Sequence, residues 1–575
     1  MALLFELGLR LIGWPWRLRL IGVALGLGVY CLLTGSQPPV VRATLMAWML
    51  LGAWALDRVV SWFNLLTAAA LVMLWVDPMQ LFDPGFQLSF GAVASLLLLA
   101  APAVQWLKRA LPTWRPRWLR RYCALSLSAT GAIWIGLSPV LAWYFHLFSP
   151  ISLVANMLIA PLLSALVAIG TSALMLSVVI APVLEWVRGV LSWVLQMTIG
   201  VVSWCHWFPG GHWIVGTPGP LFLVGYYGLL GLSLMRHHLR LTPARLVLCW
   251  SGAVVLWVWS VAAQYASDAR WLRLDVLDVG HGDSIVIRAP SGHVLVVDTG
   301  TEEAGRFRLV PYLRAEGLPR IDALILTHGD EDHVGGAMPL LEKFHIERLF
   351  TPPHGRPALQ GGEEAKSPKG GSPKPRASAR GAGFTNGARG RSPTAHRLWR
   401  RVRQQAVVQG VLCRGMTMAL GGHPTVTLEV LHPPADGMPG IDPVSNDASL
   451  VFKLTMGTIS VLLTGDLEEA GLPTLLRVGE ALQATVLKVP HHGSRLGDVG
   501  RELFGTVQPR VAILSVGRAH HLPSPQTLQA LREIGAMIYT TREDGAIRLR
   551  TDGRRLTIQT FRSKRRAEFE FDDTV

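Results

Sequence analysis

Four side chains able to hold a metal ion fall within six consecutive positions of this chain: His328, Asp330, Asp332 and His333 in THGDEDH. They follow the apolar, β-forming run Ala323–Thr327 and precede the small pair Gly335 and Gly336. A helix would scatter positions 328, 330, 332 and 333 around its axis, so these side chains converge only where a turn folds them around an ion. Two further clusters close strand-like runs: Asp466 ends LVFKLTMGTISVLLTGD, and His491, His492 and Ser494 end ATVLKVPHHGS. A strand-end Asp is ordinarily a turn former, and a His pair alone says little, but three such clusters in one stretch point to metal binding. Spacing does not choose between His491 and His492; His491 is slightly favoured as the ligand. Asp283 in HGDS and Asp298 in VVDTG are candidates for orienting the ligands from behind, or else turn-forming residues.

The first cluster resembles the H-x-H-x-D-H signature of the metallo-β-lactamase fold, with Asp330 where the second His usually stands. Asp466 matches that family's metal-bridging carboxylate. The resemblance implies a divalent-metal site, expected to hold two ions. A carboxylate in place of an imidazole favours harder ions, so Mn²⁺ or Mg²⁺ stands beside Zn²⁺ as the expected metal. In this reading Asp332 and His333 bind one ion, His328 and Asp330 the other, Asp466 bridges them, and His491 is a further ligand. Such a pair supports hydrolysis with no side-chain nucleophile. The catalytic assignment falls on Asp332, and on His492 and Ser494, which could donate to a substrate phosphate. At the family's last motif, ILSVGRAHHLPSPQTLQAL resembles the segment carrying Gly-His-Pro, but Ser524 occupies the His position. His520 or His521 could substitute; otherwise the site has one contributor fewer.

These residues need strands to carry them. WLRLDVLDVG, HGDSIVIRAP and HVLVVDTG read as strands joined by Gly-rich turns, the start of a β-sandwich. The expectation is an αβ/βα metallo-β-lactamase-like sandwich domain over residues 268–562, with a basic insertion at about 354–403 and a charged tail at 563–575. The stretch Arg356–Arg403 holds twelve Lys or Arg against Glu363 and Glu364, and so supplies most of the net charge of +15. Its Gly, Ser and Pro content suits a solvated, disordered insertion, and its charge suits an arm that meets polyanions by releasing counterions. The five cysteines are scattered with no C-x-x-C spacing, which argues against a disulfide framework.

The other part of the chain is of a different kind. Half of all residues are hydrophobic and only 16% charged, and the apolar runs concentrate before residue 265. About nine of them, from Leu18–Leu33 to Ala244–Ala262, approach the roughly 20 residues that cross a bilayer. The run Ile151–Val183 suits one tilted helix or two short ones split near Pro161. Basic residues sort into three loops: Arg10 to Arg19, Lys108 to Arg121, and Arg236 to Arg245. Four spans separate each pair of these loops, as Lys and Arg retained on the cytoplasmic side require. That count delivers the C-terminal domain to the outer face. The 21 tryptophans suit interfacial belts. Arg42, Gln87 and Asn156 lie inside apolar runs, where a polar group is costly and faces a protein interior or a wet path. They are the candidate channel residues, although Arg42 could equally snorkel and Gln87 cap a helix.

TGSQPPVVRATLMA, DPGFQLSFGAVASLLLL and SPISLVANMLIAPLLS resemble three signatures of the membrane domain of ComEC-type competence proteins. Nearly the whole chain shares this resemblance, except that Met1 falls within that family's membrane domain and the family's N-terminal region is expected to be missing. The resemblance implies a polytopic α-helical membrane domain, residues 1–265, conducting single-stranded DNA inward from an inner (cytoplasmic) membrane. It further implies a metal-dependent phosphodiesterase that degrades the other strand. Expected partners are DNA, the lipid bilayer, a DNA receptor, and a cytoplasmic motor or single-strand-binding protein, since no P-loop occurs here to supply energy. Two alternatives stand beside this: a channel whose lactamase-like domain grips DNA without cutting it, and a membrane-tethered metallohydrolase of small molecules. Nine spans are more than tethering requires.

Overall fold

The computed structural model describes residues 6, 10, 13–110, 116–176, 183–236, 238–353, 407–422, 424–438, 445–517 and 521–571. The basic stretch 354–403 and His520 lie outside the described residues. The chain divides into two compact units, Met1–Ser251 and Gly252–Val575. The division falls inside one helix, ahead of the boundary expected at 265–268, because the last apolar run continues unbroken to Asp268.

Among the described residues the first part holds nine long helices: α1 (Trp16–Leu33), α2 (Pro38–Ala55), α3 (Trp62–Val76), α4 (Pro84–Ala110), α5 (Arg117–Phe145), α6 (Ser152–Leu176), α7 (Val183–Trp207), α8 (Pro220–Leu234) and α9 (Pro243–Asp268). Six are long and apolar enough to cross a membrane; α3 and α8 are apolar but shorter. The run beginning at Ile151 is one helix that passes through Pro161. Proline leaves the carbonyl four residues back without its helical donor, and here a tyrosine from another helix supplies one: Tyr122 Oη donates to Met157 O at 2.5 Å. The same device recurs at Pro139 of α5, where Tyr226 Oη donates to Ile135 O at 2.7 Å.

A short antiparallel pair, β1 (Leu147–Phe148) with β2 (Trp213–Ile214), joins the loops that follow α5 and α7. Tyr144 Oη reaches Phe82 O, and Gly85 packs close to Pro38. The loops after α1, α3, α5 and α7 therefore gather at one end, which carries Asp77 and Asp83. Lys108, Arg109, Arg117, Arg120 and Arg121 occupy the opposite helix ends. Between the ends, Gly136 of α5 meets Ser95 of α4 so closely that a Cβ there would lie 1.8 Å from Ser95 Oγ.

The second unit is a sandwich of two sheets. One runs in the order β18-β17-β16-β3-β4-β5-β6-β7-β8, the other β15-β14-β13-β12-β11-β10-β9. Their members are β3 (Leu272–Val276), β4 (Ile285–Arg288), β5 (Val294–Val297), β6 (Arg320–Ile325), β7 (His345–Thr351), β8 (Val408–Val411), β9 (Thr417–Gly421), β10 (Val426–His432), β11 (Val451–Met456), β12 (Ile459–Leu463), β13 (Val486–Lys488), β14 (Val511–Leu514), β15 (Met537–Thr540), β16 (Ile547–Thr551), β17 (Arg555–Thr560) and β18 (Arg566–Glu570). Strands β5 to β8 are mutually parallel, as are β12 to β15. Leu274, Ile287, Leu295, Phe452, Leu454, Val461 and Ile558 fill the space between the sheets. Helices α10 (Gly497–Val507) and α11 (Pro525–Glu533) cover the outside of the smaller sheet through Leu503, Phe504 and Leu531. The expected charged tail at 563–575 is a correction: Arg566–Glu570 alternates in burial and pairs with β17, so it is an edge strand of the larger sheet.

Candidate metal centre

The site is assembled at strand tips. Strand β6 ends at Ile325 and the chain turns through Thr327 to His328; β5 ends at Val297 and hands on to Asp298. Asp298 has a positive φ of 54° and is fully buried. Its Oδ1 accepts the Thr327 N–H at 2.8 Å, and its Oδ2 accepts the Thr327 hydroxyl at 2.6 Å and His333 Nδ1 at 2.8 Å. With Nδ1 donating to Asp298, the other ring nitrogen of His333 faces into the site, where on losing its proton it would offer a lone pair to a cation. There it stands 3.2 Å from Asp466 Oδ2, and His492 Nε2 approaches the same oxygen to 3.1 Å. His328, His333 and Asp466 form one group of potential ligand atoms, and Asp283, Asp466 and His492 a second that shares the carboxylate.

This arrangement fits a divalent cation. His328 Nε2, His333 Nε2, Asp466 Oδ1 and both ring nitrogens of His492 are buried without a hydrogen-bond partner, and leaving such groups unpaired is costly. Imidazole nitrogens pointing at a carboxylate oxygen in a buried pocket are what an ion ligated by N and O atoms would relieve. The electrostatics agree. Burial, with help from the neighbouring His333, drives the His328 imidazole down to about 3, so it stays a neutral ligand. Burial opposes charge on His333 as well, but Asp466 and Asp298 overcome it and raise the imidazole well above its usual value in the metal-free protein. Burial would likewise raise the Asp466 carboxyl, yet His333 and His492 hold it well below the ordinary carboxylate range.

The remaining expected residues fall on either side of this cluster. Asp332 joins a third group, with His281 and His492. Asp330 is half exposed and its Oδ2 stands 3.9 Å from His328 Nε2, at the edge of the site. At both histidines the backbone is left-handed, φ 43° and 54°; His492 is fully buried, and His491 turns toward Glu468, Nδ1 to Oε1 3.2 Å. Ser494 is half-buried, and its carbonyl accepts the Thr527 hydroxyl. Ser524 Oγ donates to Gln526 Oε1 at 2.7 Å, and His521 is exposed. In the helical unit, Arg42 Nη1 donates to Ser89 O and its guanidinium lies 5.8 Å from the Phe90 ring. Gln87 Nε2 donates to Leu81 O at 2.8 Å, tying down the turn before α4, and Asn156 lies on an exposed face of α6.

Residues 1–240 match the family model described as competence protein, and residues 277–502 match that of the metallo-β-lactamase superfamily. In these two parts the chain is similar to the ComEC-type competence proteins. ComE operon protein 3 of Bacillus subtilis (strain 168) is 28% identical over 556 residues, covering 92% of this chain and 63% of that protein. Competence protein ComA of Neisseria gonorrhoeae is 27% identical, covering 90% and 63%, and Recombination protein 2 of Haemophilus influenzae 25% identical, covering 96% and 65%. The chain thus spans slightly less than two thirds of the length of these relatives.

Two residues beside this cluster escaped the reading of its motifs. Lys488, at the end of β13, is buried, and its Nζ lies 2.7 Å from Asp283 Oδ2. Burial alone would raise the Asp283 carboxyl, but Lys488 and His492 hold it below the usual range. The signal was a lone Lys inside the apolar strand TVLKVP, where a charge is kept only when paired. His281 is the other, flanked by Gly280 and Gly282 in a loop that looks like a turn.

Proposed function

We propose that this chain takes part in DNA uptake during transformation: the helical unit passes one strand across the inner membrane while the metallo-β-lactamase unit, outside, hydrolyses phosphodiester bonds. The observation that carries the hydrolytic part is the convergence of His328, His333, His492 and Asp466 in a buried space, where His328 Nε2, His333 Nε2, Asp466 Oδ1 and both His492 ring nitrogens have no hydrogen-bond partner. A divalent cation held by these residues would supply Lewis acidity and an acidified water. The chain's own residues do the rest. Asp298 fixes the His333 tautomer and ring direction, Lys488 fixes Asp283, and Asp332 lies at the solvent side, where a phosphate would enter. The gathering of the odd-numbered loops at one helix end, away from the basic ends, supports an outward position for the C-terminal unit. Arg42, Gln87 and Asn156 remain the pathway residues of this proposal.

Full-length chain in detergent or nanodiscs is expected to cut single-stranded DNA with added Mn²⁺, and His328→Ala to abolish cutting. Metal-independent cleavage, or cleavage unaffected by the substitution, refutes the assignment. One observation favours a second reading, in which the unit grips DNA without cutting it: Ser524 turns its hydroxyl to Gln526 and brings no imidazole to the site. Uptake of labelled DNA that survives Asp332→Ala combined with His333→Ala would support that reading.

A further inference from the structure

We infer that His281 is a metal ligand of this chain, closing the outer side of the cation site. The inference rests on the metal-centre reading above. The loop between β3 and β4 reads Gly280-His281-Gly282, and both glycines adopt positive φ, 87° and 101°. Glycine takes these conformations without strain. A Cβ on Gly282 would stand 1.9 Å from the Asp332 carbonyl oxygen, so the loop can press its backbone directly against the turn that carries Asp332.

That approach places His281 Nε2 3.6 Å from Asp332 Oδ2 and the His281 ring centroid 4.5 Å from that of His492. One ligand atom from each of the three residues lies within 4.8 Å of the others. Ligand atoms bound about 2.1 Å from a common Zn²⁺-like ion stand roughly 3 to 4 Å apart, so the spacing suits a cation better than a direct hydrogen bond. His492 is fully buried with both ring nitrogens unpartnered, whereas the side chains of His281 and Asp332 are about a quarter exposed. The group thus has a buried floor and an open mouth. Two imidazoles and one carboxylate are a donor set for borderline divalent ions such as Zn²⁺, Mn²⁺ or Co²⁺, and leave coordination positions for water or a phosphate oxygen.

Co²⁺ titration of the full-length chain in detergent, followed by visible absorption and elemental analysis, tests this. His281→Gln keeps the size of the side chain and is expected to weaken uptake of one ion by roughly 10- to 100-fold and to shift the absorption bands. His281→Cys is expected to add a thiolate-to-Co²⁺ charge-transfer band absent from the parent. A Gln variant with unchanged affinity and bands, or a Cys variant without the new band, overturns the role of His281; if His328→Ala still loses Co²⁺, the metal-centre reading stands without it. A parent chain that takes up no Co²⁺ overturns both.

Discussion

Lys488 is the residue whose removal separates structural charge from chemistry. Its ammonium and the Asp283 carboxylate are both buried, 2.7 Å apart. Breaking a buried pair by deleting one partner strands the other charge and costs about 3–5 kcal/mol, whereas replacing both with apolar groups can be nearly neutral. Lys488→Met should therefore lower the melting temperature of the metallo-β-lactamase-like unit sharply, and Lys488→Met with Asp283→Leu should recover much of the loss. Calorimetry on the solubilised chain would show both effects. His432, which belongs to none of the candidate ligand groups, sets a pH response. Burial drives its imidazole from 6.5 down to about 4, outweighing the Ser449 carbonyl 2.9 Å from Nδ1. The unfolded chain binds a proton that the folded one refuses, so this contribution is complete above pH 6.5. It is lost as pH falls toward 4, by roughly 3 kcal/mol in total. His432→Asn should flatten that part of the stability profile; a profile of unchanged slope would count against it.

At the scale of elements, the tyrosines that serve proline-released carbonyls are the most informative. In hydrocarbon no water can replace Tyr122 at Met157 O or Tyr226 at Ile135 O. Tyr122→Phe and Tyr226→Phe should each destabilise the helical unit by about 1 kcal/mol, read by unfolding in bilayers or detergent. Replacing Gly136 with Val should do more, by driving α4 and α5 apart at Ser95. These pairings also show why the sequence was only partly legible. Nine apolar runs became nine described helices, six of them long and apolar enough to cross a membrane, because length and composition favour an apolar helix locally. The carbonyl that Pro161 releases, at Met157, is served by Tyr122, 35 residues before Met157, which no local pattern reveals. In the sandwich, THGDEDH and TGD were readable because each motif sits at one strand tip. The choice between His491 and His492 was not, since two left-handed residues decide which imidazole faces inward. His281 was hidden for a related reason: its role comes from a backbone approach to Asp332, some fifty positions further along the chain.

The whole molecule joins a bundle with its basic groups at one end to a sandwich whose polar centre lies at parallel strand tips. Cysteines introduced singly at Asp83 and Arg240 in a cysteine-free background should react with a membrane-impermeant maleimide from opposite sides of sealed vesicles. Labelling of both from one side would overturn the proposed topology. The Lys- and Arg-rich stretch supplies a test of DNA contact: replacing 354–403 with a short Gly-Ser linker should reduce the slope of DNA affinity against salt, because fewer counterions are released. Affinity of unchanged slope would assign that charge elsewhere. Strand β7 runs parallel to β6 and pairs Phe350 with Ile325, so the chain leaves β7 on the same rim where His328 begins the cluster. Any peptide spliced in after residue 353 would thus be anchored at the rim that carries the candidate metal site without interrupting a strand, and a fluorophore or affinity tag grafted at that seam would report on what arrives there.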